Sequence, residues 1–290
     1  MLKDIVLSSA MLFGSLAAFV PINSYAEMSG TWQHELAQSL PFSEHQAQKF
    51  ESIIQPEWQD SVGELDWTVR IRARMDSESQ LGGFDERPSN YSSVNGAFVS
   101  ETHAQISLRE AYFDGEIYDH STLADMEWRV GKQQVVWGQA DGLKVLDVVN
   151  PQSYSEFILD EFEDSRIPLW MVNLTFILGD SATLQLLWIP DTTYHELAEK
   201  GTLYEVSAPE KTPYINPSPT QAVLLSKPDK PSKALKDSDI GLRYQVFWDG
   251  WDLTFNYLHY YQDLPVFYQD QTPADILINP EYERSHIVGS

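Results

Sequence analysis

Residues 131–152 read GKQQVVWGQADGLKVLDVVNPQ and place Asp141 and Asp147 in a loop-forming segment that closes on Asn150-Pro151. Two carboxylates are the equipment of glycoside hydrolysis, which needs them about 5–9.5 Å apart. Their spacing along the chain does not fix that distance. Downstream, LDEFEDSR gathers Asp160, Glu161, Glu163 and Asp164. Oxygen-rich sets of this kind hold calcium, but the spacing matches no known ligand loop. A solvated or arginine-paired loop is the competing reading. There is no Gly-x-Ser-x-Gly and no His-Glu-x-x-His. The seven histidines are scattered, and His259 and His286 read as interface or loop residues. The chain has no cysteine, which removes thiolate chemistry and thiolate zinc sites. No catalytic residue, metal site or cofactor is expected.

The strongest chemical pattern is basic. Arg70, Arg72 and Arg74 alternate along one segment, and Arg129, Lys132 and Arg243 fall at comparable places in others. A basic ladder on a wall attracts anions or amphiphiles with acidic heads. The same side chains could instead be satisfied by acids on an inserted loop.

What positions these residues is a period of two. DWTVRIRARM puts Trp67, Val69, Ile71, Ala73 and Met75 on one face and the arginines on the other. PLWMVNLTFILG, ATLQLLWIP, DIGLRYQVFW and WDLTFNYLHYY repeat the alternation. Strands are predicted at about 66–75, 103–116, 126–138, 168–179, 182–190, 239–248 and 251–261, with another starting near 283. Each is about the length a tilted strand needs to cross a bilayer.

Connections sort by length. Residues 118–124, 179–181 and the Asp249-Gly250 turn are short, whereas 76–102, 139–167, 191–238 and 262–282 are long. Strict alternation of short turns and long loops belongs to outer-membrane barrels. Tryptophan adds a second sign. Trp67, Trp128, Trp248 and Trp251 fall at short-turn ends, and Trp137, Trp170 and Trp188 at long-loop ends. That is the arrangement of two interfacial girdles. The expected fold class is therefore all-β, a transmembrane antiparallel β-barrel of about eight strands.

Two strands break the pattern. A β-bulge at Gly131 would turn Trp128, Val130, Gln133, Val135 and Trp137 outward and Arg129, Lys132 and Gln134 inward. In AQISLREAYFDG, Ala104, Ile106 and Leu108 agree but Glu110 does not, so the register after Arg109 stays open. Within residues 27–65, PFSEHQAQKFESIIQPEW has helical spacing at Phe42, Ala47, Phe50, Ile53 and Ile54. Ser43 and Gln46 suggest a capping box. A short periplasmic or lumen-inserted helix is expected there. Residues 205–238, rich in Pro, Ser and Lys, read as an external loop.

Lys3, an apolar stretch from Ile5 to Val20, and Ser24-Tyr25-Ala26 compose a Sec signal peptide cleaved after Ala26. The formal net charge is −24, which disfavours nucleic acid as a partner.

At GKQQVVWGQADGLKVLDVVNPQ, RIPLWMVNL and LLWIPD, the chain resembles an outer-membrane barrel family of Gram-negative bacteria, domain of unknown function 1302. The resemblance covers roughly residues 60–290. It implies a large porin-type barrel in the outer membrane, placed by the barrel-assembly machinery, that helps move lipophilic compounds with a periplasmic partner. It supplies no catalytic residue. Barrels of this family are longer than 290 residues, and this chain lacks their terminal aromatic residue. A fragment is the first expectation, and a small closed barrel of eight strands the second.

Three functions follow as expectations: a channel or transport component, a secreted β-rich binding or hydrolytic domain, and a structural scaffold for a periplasmic partner. Under the first, residues 139–167 fold into the lumen as a constriction. Asp141, Asp147, Asn150, Asp160, Glu161, Glu163 and Asp164 lie in it, with Asp141 and Asp147 facing the basic wall.

Overall fold

The computed structural model describes residues 26–38, 47–78, 82–85, 90–118, 125–138, 146–157, 160–198, 202, 204–205 and 222–290. Asp141 and residues 1–25, which carry nearly all of the expected signal peptide, lie outside them.

The strands in chain order are β1 (Glu27–Gln38), β2 (Ala47–Val62), β3 (Leu65–Asp76), β4 (Val99–Glu101), β5 (Ala104–Ile117), β6 (Asp125–Gln133), β7 (Ser153–Tyr154), β8 (Leu169–Leu178) and β9 (Ala182–Ile189). They continue as β10 (Glu196–Leu197), β11 (Ala222–Leu225), β12 (Asp239–Trp248), β13 (Trp251–Tyr261), β14 (Val266–Gln271), β15 (Asp275–Glu281) and β16 (Arg284–Gly289). The one described helix is the single turn α1 (Phe162–Ser165). The chain is all-β.

One antiparallel sheet dominates. Its path is β1-β2-β3-β5-β6-β8-β9-β12-β13-β16, with β4 beside β5. All eight strands read from the sequence are present. Two more precede them: residues 27–38 and 47–62 form a hairpin, so the helix expected over 41–58 gives way to strand in its described part. The reason lies in the apolar spacing. Phe50, Ile54, Trp58 and Val62 share one face of β2 in a period of four, because Ser52, Pro56 and Asp60 fill the positions between. That period imitates a helix. No pairing joins β1 to β16 among the described residues.

The connections keep the sorting seen in the sequence. The short connections, β2 to β3, β5 to β6, β8 to β9 and β12 to β13, all join strands at one edge of the sheet. The segments 77–103, 134–168, 190–238 and 262–283 connect at the other. Of the span 205–238, read as one loop, residues 222–225 pair as β11 in parallel with β15. Asp237 also caps a turn, accepting hydrogen bonds from the amides of Ser232 and Lys233.

The sheet has two unlike faces. Trp32, Ile54, Ala73 and Ile106 lie in one row across β1, β2, β3 and β5. Phe113, Val130, Val172, Trp188 and Ile240 continue the same face to β12. Much of it is open: Trp32 is 70% exposed, Phe113 52%, Trp248 67% and Trp251 68%. The opposite face carries the charges and is covered by chain.

The predicted bulge sits elsewhere. Pairing runs through Gly131 without a shift on both sides of β6. The shift falls between β3 and β5, where Arg70 faces Glu110 and Ile71 faces Leu108. Arg109 is the extra residue, and it returns Ala111 and Phe113 to the apolar face. Gly131 accommodates strain differently, at φ +140. A Cβ there would lie 2.2 Å from the Ala111 carbonyl oxygen, so only glycine fits. Lys132 and Gln133 after it are both buried, against the outward placement expected for Gln133.

Candidate functional site

The covered polar face is the candidate site. Its wall comes from β1 to β6, and its lid is the described part of the connection between β6 and β8, residues 134–138, 146–157 and 160–168. The register places Arg70, Arg72 and Arg74 on this face because Val69, Ile71 and Ala73 take the other.

The wall arginines meet the lid at Glu156, Glu163 and Asp164. Arg74 holds Glu51 through Nη2 at 3.0 Å and reaches Glu156 at 3.3 Å. Lys49 donates to Glu156 at 2.6 Å and also pairs with Glu35 and Glu51. Arg70 is paired with Glu57 on β2 and with Glu163 of α1, the latter at 3.0 Å. Arg72 donates to the Asp164 carbonyl at 3.3 Å. Arg109 donates to the carbonyls of Glu163 and Asp164. Gln55 donates to the Asp164 carboxylate at 3.0 Å. Of the two readings of the basic ladder, loop pairing therefore accounts for Arg70 and Arg74. Buried ions are stable only when paired and hydrogen-bonded in this way.

The remaining candidates are spread out. Arg129 lies 4.1 Å from the Tyr112 ring and 3.7 Å from Asp114. Arg243 makes a long contact, 3.5 Å, with the Val136 carbonyl. Lys132 turns inward and donates to the Leu108 carbonyl at 2.6 Å.

The acids of the lid do structural work. Asp147 pairs with Arg166 of the same segment at 2.8 Å, not with the basic wall as expected. Glu161 accepts the Ser165 amide through its carbonyl and starts α1. Asp160 lies with Glu35 and Glu156 in a group whose oxygens come within 4.8 Å of one another. Lys49 already pairs with two of those three acids. Burial, then Glu156, pushes the Asp160 carboxyl above its ordinary value.

Asn150 is the fastening of the lid. Its Oδ1 accepts the Val135 amide at 2.8 Å, and its Nδ2 donates to the Ile167 carbonyl at 3.0 Å. One buried side chain thereby joins both stems of the loop. The Ile167 amide closes onto the Pro151 carbonyl at 2.8 Å, and Gln152 bridges to Arg166. The Asp-x-x-Asn-Pro-Gln run is thus a loop-closing device.

Under β8 to β16 the lid is apolar. Val135, Trp137 and Val149 pack with Leu169, Met171, Leu187, Ile189 and Leu258. Trp137 is 3% exposed, so it does not join the tryptophans of the long-loop edge. β6 ends at Gln133, and the chain then turns across the polar face, carrying Val135 and Trp137 inward. Trp137 donates to Gln185 at 2.8 Å. Gly241 makes room for it: a Cβ there would meet the Trp137 ring at 2.9 Å. Trp170 stays at the long-loop edge, half-buried, and donates to the Val94 carbonyl at 2.9 Å. Trp67 and Trp128 are half-buried at the short-turn edge, and Trp188 is exposed near the other.

Among the described residues, two cavities border the lid. One, about 230 Å³, lies over β3, β5 and β6 and is lined by Arg72, Arg109 and Lys132. The other, about 370 Å³, lies between Asp147, Tyr154, His195 and Asp263. His195 Nδ1 accepts the Gln152 amide at 2.9 Å, and Tyr154 meets the ring edge-on. Burial, then the Asp239 charge, holds the Asp263 carboxyl well above its ordinary value.

The model of the family described as Protein of unknown function (DUF1302) matches residues 45–288. The chain belongs to that family. The match begins at the end of the β1–β2 connection and takes in the wall from β2 to β6, the lid and both cavities. No curated protein and no solved structure matches the chain.

Proposed function

We propose that this DUF1302 member is a wall of an outer-membrane β-barrel, acting as a non-catalytic channel or transport component for amphiphilic small molecules. Export by the Sec route from a signal at residues 1–26, in a Gram-negative envelope, belongs to the same reading. One observation carries it: a sheet with one broadly exposed apolar face, edged by tryptophans, backs onto a face of buried, paired charges. In water such an exposed patch is a liability. Against lipid it is the surface a barrel needs, and the tryptophans suit the interfaces. The sorted connections support the same orientation, with long loops external. Lipid also requires the open edges of β1 and β16 to be paired, with each other or with further strands.

The lid over the polar face favours a second reading, a scaffold that docks a periplasmic partner without conducting. Of the carboxylate pair the hydrolytic reading named, Asp141 lies outside the described residues and Asp147 is held by Arg166. Membrane fractionation followed by unheated and heated denaturing gels tests the barrel. A heat-dependent mobility shift in the outer-membrane fraction is expected, and a soluble periplasmic product would overturn the reading. Stepwise conductance in planar bilayers is expected of the channel, and a silent but inserted protein selects the scaffold.

A further inference from the structure

Three cations on the polar face are buried with no carboxylate in ion-pair contact among the described residues. Arg72, Arg109 and Lys132 are 8%, 6% and 4% exposed and line the same cavity of about 230 Å³. Among the described residues none of the three has a carboxylate within ion-pair distance, unlike Arg70, Arg74 and Lys49 beside them. Their hydrogen bonds go to main-chain carbonyls of Asp164, Glu163 and Leu108. A carbonyl orients a guanidinium but does not cancel its charge. The buried Nε of Arg72 has no hydrogen-bond partner among the described residues.

The acids that line the cavity, Asp85, Asp160, Asp164 and Glu196, lie beyond ion-pair distance of these three cations, and the charges of Asp160 and Asp164 reach Arg72 only at longer range. Asp164 accepts from Gln55, Glu196 from Ser153 and Tyr91, and Asp85 from Thr102. Asp160 groups with Glu35 and Glu156 on the Lys49 side. Ser107 and Asn95 add neutral polar groups to the lining.

We infer that this cavity binds a small oxyanion, a carboxylate or a phosphate. Two guanidinium forks match the flat or tetrahedral oxygens of such a group, and an ammonium supplies a third charge. The volume exceeds that of several waters, each about 30 Å³, so the head group and a short stem fit. The ligand is either a free anion or the acidic head of an amphiphile. The site extends the transport reading but does not depend on it, because binding requires no passage across a bilayer.

The test is calorimetric titration of the full chain in non-ionic micelles at low salt, with sodium phosphate, acetate and decanoate as probes. Saturable binding of at least one probe is expected. It should weaken about tenfold or more in Arg72→Gln and in Lys132→Met, the loss of one charge-assisted contact, and stay unchanged in Lys236→Gln, a surface control. Decanoate binding well above acetate identifies an acid-headed amphiphile, and phosphate or acetate binding as well as decanoate identifies a free anion. Should either cavity variant fail to fold, the unaltered chain suffices. Its thermal midpoint should rise with the bound probe and not with chloride at equal ionic strength. No saturable heat from any probe, equal binding by folded cavity variants, or a midpoint that chloride raises equally would overturn the inference. A silent bilayer recording would remove the channel and leave this site standing.

Discussion

Asn150→Ala removes the fastening between the two stems of the lid. The amide is 1% exposed and makes two good hydrogen bonds, to the Val135 amide and the Ile167 carbonyl, with a longer one to the Gln133 carbonyl. Truncation strands a buried donor and a buried acceptor, each costing about 1–3 kcal/mol. The expected loss is therefore about 2–6 kcal/mol, provided no water replaces the amide. Trp137 sits two residues beyond Val135 in the apolar cluster, so its fluorescence reports the same region. Urea unfolding in micelles, followed at tryptophan wavelengths, gives the global change. Hydrogen exchange at the Val135 amide gives the local one, expected to quicken at least about tenfold. A midpoint shift worth less than about 0.5 kcal/mol, with Val135 exchange unchanged, would refute the view of Asn150 as a staple.

Three other outcomes are expected. Glu156→Gln strips the lid's charge from Lys49 and Arg74 and should cost about 3–5 kcal/mol, since it leaves buried cations short of a partner; equilibrium unfolding measures it. Gly131→Ala forces a Cβ against the Ala111 carbonyl at φ +140 and should cost more than about 3 kcal/mol, read as the fraction folded on unheated gels. Asp263 has a raised carboxyl pKa, so its proton favours the folded state. Stability from this group is full below the ordinary carboxylate range and declines as pH rises through the raised value. Asp263→Asn should remove that decline and stabilise the chain at neutral pH; urea midpoints across pH show it, and an unchanged slope would count against it.

The strands that were legible in sequence are those whose apolar face is filled at every second position, as in DWTVRIRARM and DLTFNY. β1 and β2 escaped because the same face alternates between large and small or polar residues: Met28, Trp32 and Leu36 are separated by Gly30 and His34. A period of four then outweighs the period of two. Arg109 escaped because a bulge leaves only a negative sign, the adjacent charges Arg109-Glu110 where alternation allows one. The placing of Arg70, Arg72 and Arg74 on one face was readable from alternation. Their partners were not, since Lys49 and Glu156 meet across 107 positions that no local pattern connects. Trp137 was misplaced by carrying strand periodicity past Gln133, where the ladder stops.

The lid has a divided set of contacts, and this bears on the order in which the molecule can assemble. Its charged half needs only β1 to β5, all earlier in the chain. Its apolar half needs Leu187, Leu258 and Ile287, all later. Long sequence separations make such closures slow. A chain emerging from its N-terminus can therefore dock the lid electrostatically once Arg166 is available. Trp137 and Val149 then stay exposed until β13 and β16 arrive. Apolar side chains left uncovered over such an interval are open to off-pathway contacts.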